Sequence, residues 1–280
     1  MLKKLMRYDF KSIFKLWGIA ALSTVALSLI GGSISTFFTA NMFTEKEIPT
    51  PILIVAVIIL VMVLLGFVAF AIFSEILVYF RFYKNLYTDE GYLTFTLPAK
   101  RQSILNSKIF LGFATNSLTT IVLSINSVIM FVIAFGKYAF TKEALRELAE
   151  IIKDFIEYEY SYFAIIYTIE ALILLALVTL VSVLFAYACI TIASVIAKKA
   201  KILVAVGIYY GATSIISSIF SIFYLFGITS LYDVFWHLDQ SDVFICVALL
   251  IGMVILIMGA FCCLLYHLKH WCLHKKLNLA

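Results

Sequence analysis

The charges of this 280-residue chain sit in short islands between long apolar runs, and the basic residues are divided unevenly among the islands. Of 21 Lys and Arg, 16 fall in one alternate set of islands and 5 in the other. Loops that stay on the cytoplasmic side of a membrane keep the basic residues. The pattern therefore predicts six membrane spans with both termini in the cytoplasm. A span needs about 20 apolar residues, and the qualifying runs are 17–40, 52–80, 109–136, 162–197, 202–227 and 243–268.

Hydrophobic residues make up 64% of the chain and charged residues 13%, whereas a soluble domain is near half apolar and about a quarter charged. This excludes an ordinary soluble domain. It points to an all-α integral membrane fold with one transmembrane domain over 1–280. The net charge of +5 follows from the inside-positive bias and from attraction to anionic lipid heads. Membrane lipids are therefore expected partners and nucleic acid is not. The five cysteines, Cys189, Cys246, Cys262, Cys263 and Cys272, lie in spans or on the cytoplasmic side, so no disulfide is expected. The first apolar run is too long for a cleavable signal peptide.

Two segments outside the spans are amphipathic. In 1–16, Lys3, Lys4, Arg7, Lys11 and Lys15 form a stripe at helical spacing, opposite Leu2, Leu5, Met6, Phe10, Ile13 and Leu16. This predicts an interfacial helix in the cytoplasmic headgroup layer, with Asp9 as a misfit in its apolar arc. In 137–160, between spans three and four, Leu145, Leu148, Ile151, Ile152, Phe155 and Ile156 oppose Glu143, Arg146, Glu147, Glu150, Lys153 and Asp154. An extracellular helix over 141–157 is expected, with Thr141 as N-cap, lying on the membrane or covering the bundle. The largest cytoplasmic segment is 81–108, where a glycine-permitted turn at Gly91 and a stop at Pro98 are expected.

No G-x-x-x-x-G-K-[ST] phosphate loop, H-E-x-x-H, G-x-S-x-G or C-x-x-C is present, so the chain does not hydrolyse ATP by that loop, and no enzyme or bound cofactor is expected. His267, His270 and His274 with Cys272 have metal-like spacing, but beside Lys269, Lys275 and Lys276 they suit lipid headgroups better. Two acids lie inside spans, Glu75 and Glu170. A charge in hydrocarbon costs at least about 2.5 kcal/mol, so each should face protein or water. Glu170 suits a proton relay or cation attraction, and equally a structural acid between helices. Span three places Asn116, Thr120, Ser124 and Ser127 on one face, a candidate translocation wall or a packing face. Span five places Gly207, Gly211, Ser214, Ser218 and Ser221 on one face. Small residues at this spacing let helices approach closely, which makes that stripe a candidate subunit interface.

The segment from Tyr83 to Pro98, YKNLYTDEGYLTFTLP, resembles the first cytoplasmic loop of small ABC-2-type (type V-like) ABC transporter permease subunits of Gram-positive bacteria. The resemblance implies a permease of an ATP-binding cassette exporter. It implies two permeases, identical or related, joined to two separate ATPase subunits that hold the ATP and Mg. It places an ATPase-coupling loop at Thr88, Asp89, Glu90, Gly91 and Tyr92, and an elbow helix at 1–16. The long outer helix departs from the family, whose main outer element lies between spans five and six.

Three readings follow. The first is an exporter permease in the cell membrane moving an amphipathic peptide, lipid or drug. The second is a stand-alone proton-coupled carrier using Glu170. The third is a non-transporting sensor or assembly protein using the outer helix as its platform.

Overall fold

In a computed structural model of the chain, residues 2–44, 49–88, 91, 101–197, 200–236 and 238–275 are described. Among them are seven main helices: α1 (Leu2–Thr44), α2 (Thr50–Tyr87), α3 (Arg101–Ala139), α4 (Lys142–Glu157), α5 (Tyr162–Ile196), α6 (Lys201–Trp236) and α7 (Gln240–Lys275). All but α4 are long and apolar enough to cross a membrane. The protein is an all-α, multi-pass membrane protein. Backbone polar groups in lipid must be satisfied within each segment, which continuous helices achieve. The 38 residues of α2 give a rod of about 57 Å at 1.5 Å per residue, well beyond a hydrocarbon core of about 30 Å.

The expected helix at 1–16 is not separated from the first span. Helix α1 runs unbroken from Leu2 to Thr44. Asp9, the misfit, is buried on the same side as Ile13 and Trp17, while Arg7, Lys11 and Lys15 are exposed. The side that packs is therefore the one that carries Asp9.

The chain divides into two compact units, Met1–Arg81 with Phe110–Tyr158, and Phe82–Ile109 with Glu159–Ala280. In the first, α1 and α3 run parallel and are joined along their length by four hydrogen bonds. Trp17 Nε1 donates to Thr119 Oγ1 (3.0 Å) and Asn126 Nδ2 to Thr24 Oγ1 (2.8 Å). Thr36 Oγ1 donates to the Ile133 carbonyl (2.9 Å) and Thr39 Oγ1 to that of Ala134 (2.8 Å). Gly32 brings α1 and α3 close enough for these bonds, and Gly66 brings α2 close to α1. A Cβ on Gly32 would lie 2.8 Å from Ile133 Cβ, and one on Gly66 2.5 Å from Leu27 Cδ1. Ile13, Trp17, Phe70 and Leu111 form an apolar cluster in the same unit.

In the second unit, α5 packs against α7 and α6. Leu184 and Ala188 of α5 meet Cys262 and Leu265 of α7, with Ile109 of α3 against them. The α5–α6 connection passes through Ala200, whose φ of 54° is left-handed. The adjoining Lys198 and Lys199 lie outside the described residues.

Candidate functional site

The 88–100 segment leaves the end of α2 and returns at the start of α3. Both roots belong to the unit that holds α5 to α7. Phe82, Asn85, Leu86 and Tyr87 are buried at the α2 end, and Ile104, Leu105, Ser107 and Lys108 at the α3 end.

Tyr187 of α5 is the hub between the two roots. Its ring stacks on Phe82 with centroids 3.7 Å apart and planes 6° from parallel. Its hydroxyl donates to the Lys108 carbonyl at 3.1 Å. Thr191, one turn along, spends its proton on the Tyr187 carbonyl (2.7 Å). The 2.8 Å contact between Thr191 and the Tyr87 hydroxyl is therefore donated by Tyr87. Tyr266 of α7 donates to Asn106 Oδ1 at 3.1 Å.

Lys269 of α7 completes the cluster. It is 0% exposed, its Nζ has no hydrogen-bond partner, and it lies 5.2 Å from the centre of the Tyr187 ring. A cation over an aromatic face gains about 0.5–2 kcal/mol, which offsets only part of the cost of desolvating an ammonium. In the sequence Lys269 figures only as a neighbour of the C-terminal histidines, and its burial is not anticipated there. It falls on the inward stripe Cys262, Leu265, Lys269 and Cys272, all buried, so its neighbours three and four residues away decide its place. That stripe was the available signal for Lys269. Nothing local marked Tyr187, Phe82 or Thr191, which are apolar or small residues among many.

Of the expected coupling residues, Thr88 and Gly91 are described, whereas Asp89, Glu90 and Tyr92 lie outside the described residues. Thr88 Oγ1 donates to the Lys84 carbonyl (2.5 Å), and the Gly91 N–H to the Thr88 carbonyl (2.7 Å). A Cβ on Gly91 would lie 2.6 Å from the Leu86 carbonyl oxygen. Gly91 is needed for close backbone approach, not for a left-handed conformation, since no glycine among the described residues has positive φ.

Asn116 and Thr120 belong to the first unit and Glu170 to the second. Asn116 is buried with Oδ1 unpartnered, and Thr120 Oγ1 donates to the Asn116 carbonyl (3.1 Å). Thr115, Asn116, Thr119 and Asn126 are covered, while Ser124 and Ser127 are exposed. Glu170 is half-buried, with Oε2 enclosed and without a partner. One turn before it, Tyr167 donates to the Phe244 carbonyl at 2.8 Å, tying α5 to α7.

On α6, Gly207, Gly211, Ser214 and Ser218 are all exposed, and a Cβ on either glycine meets nothing within 4 Å. On α7, His267 is exposed whereas Cys272 is buried, so the two do not share a face. No family model, curated protein or solved structure matches the chain.

Proposed function

We propose that the protein is the permease subunit of an ATP-binding cassette exporter in the cell membrane, with both termini in the cytoplasm. It moves an amphipathic peptide, lipid or drug, using ATP hydrolysed on a separate subunit. One observation carries the reading: both roots of the 88–100 segment are fixed to α5 and α7 through Tyr187, Tyr87–Thr191 and Tyr266–Asn106. A partner pressing on Asp89, Glu90 and Tyr92 then moves packed helices. Such rigid displacement is how nucleotide-driven closure shifts a transporter between open states. The open α6 stripe is the contact for a second permease, identical or related.

The test is mild-detergent purification of the tagged chain from its native membrane. An ATPase with a phosphate-binding loop is expected to co-purify, and to be lost when Asp89, Glu90 and Tyr92 are replaced by Ala. Absence of any ATPase across several mild detergents would sink the proposal.

A second reading, a stand-alone proton-coupled carrier, is favoured by the unpartnered Glu170 Oε2. Glu170→Gln would abolish its transport. Transport that persists in Glu170→Gln but loses ATP dependence on changes at Asp89 and Glu90 decides for the exporter.

A further inference from the structure

Helix α4 separates its two kinds of side chain completely. At 100° per residue, Leu145, Leu148, Ile151, Ile152, Phe155 and Ile156 share one side, and every charged residue of Lys142–Glu157 lies on the other. The helix is well made on its own. Thr141 Oγ1 accepts from the Ala144 N–H at 3.3 Å. Arg146–Glu150 (3.2 Å) and Lys153–Glu157 (3.8 Å) pair along its exposed polar side. Yet no residue of α4 is buried. Ile151 is 63% exposed and Ile156 67%, so nothing within its own unit covers that face.

Its connections decide what covers that face. Two residues separate α3 from α4 and four separate α4 from α5, and a residue reaches at most about 3.6 Å. Both ends of α4 are therefore tied close to the ends of membrane-crossing helices, and its axis is about 24 Å long. Phe140 and Tyr158 in these connections, and Tyr162 at the start of α5, are exposed, as aromatic side chains at a membrane–water boundary are.

We infer that α4 is a lipid-docking helix whose apolar face enters the boundary between headgroups and acyl chains of the leaflet where α3 ends and α5 begins. The attraction is apolar burial. The polar side carries five acids and three bases, so anionic headgroups add nothing to it. This inference stands independently of any ATPase partner.

The test uses the full chain in phosphatidylcholine vesicles, with single nitroxide labels on introduced cysteines. Cys246 and Cys263, the cysteines that are not buried, are replaced by Ala. Labels at Leu148, Ile152 and Phe155 are expected to meet dissolved oxygen freely and an aqueous nickel chelate about tenfold less than labels at Arg146, Glu150 and Lys153, as for helices set about 5–10 Å into the interface. Equal chelate access on both sides would overturn the inference. So would apolar-side labels shielded from oxygen and chelate alike, because a protein then covers the face. As a second variant, Leu148→Asp with Ile152→Asp is expected to raise chelate access at Leu145 to the polar-side level. No change there also counts against lipid docking.

Discussion

Glycine is used in opposite ways where α1 meets its neighbours in the first unit and along α6 in the second. In the first, Gly31, Gly32 and Gly66 face side chains so near that an added Cβ would fall 2.5–3.1 Å from them. In the second, Gly207 and Gly211 face open space. The polar residues beside them differ in the same sense. Threonines and Asn126 of α1 and α3 bond across to the other helix. On α6, Ser217 and Ser218 bond to the Ser214 carbonyl and Ser221 to that of Ser217, all within their own helix. Small residues permit close approach between helices in lipid, and hydrogen bonds and packing supply the attraction. The first unit has made its contact within the chain. On α6, Gly207, Gly211, Ser214 and Ser218 stay exposed.

The largest test of this contrast is Gly32→Val beside Gly207→Val. Forcing methyl groups against Ile133 should cost about 1–3 kcal/mol and lower the midpoint of thermal unfolding in detergent. The same change at Gly207 should stay within about 0.5 kcal/mol. Equal losses at both sites would break the comparison. Next comes Asn126→Leu, which removes the bond to Thr24. Interhelical bonds in membranes are worth about 0.6–1.7 kcal/mol, and denaturant titration of the variant should show a loss in that range. A gain of similar or smaller size is expected for Lys269→Met. Replacing a buried amine that has no hydrogen-bond partner with an apolar side chain of similar length should stabilise the fold by on the order of 1 kcal/mol. A less stable variant would mean that the cation over Tyr187 outweighs its desolvation. Smallest on stability is Ser214→Leu with Ser218→Leu, which should leave the unfolding midpoint unchanged. If a second copy packs on this stripe, the same variant should abolish cysteine cross-linking between chains at Gly211→Cys. Undiminished cross-linking would remove α6 from the interface.

Much of the architecture was legible because apolar run length and helical period act locally. The six spans appear where expected, and α4 with its Thr141 cap lies within a residue of the expected 141–157. Local signals failed where a partner helix decides the outcome. The spacing at Gly207 and Gly211 shows that close approach is possible there but not whether the chain itself fills the space. Gly31, Gly32 and Gly66 lack such regular spacing, yet they are covered. The continuity of α1 through residue 16 was hidden because a basic stripe and an apolar core face coexist on one helix. Lys269 was hidden for a related reason. Its charge gave no sign of an inward position, but its register with Cys262, Leu265 and Cys272 puts it inside.

The bonds between α1 and α3 have a consequence for biosynthesis. They join residues 95–102 positions apart. At about 5–20 residues per second, α1 waits roughly 5–20 seconds in the membrane before α3 exists to receive it. Three of its polar groups are provided for during that wait. Thr24 donates to the Ala21 carbonyl, Thr36 to Gly32 and Thr39 to Thr36, all within α1 itself. The nascent span is thus tolerable to lipid as a lone helix, and Thr36 and Thr39 add their second acceptors when α3 arrives. Trp17 has no such local acceptor, and it lies within a turn of Lys15, near the end of the span where water and headgroups can serve until Thr119 is made.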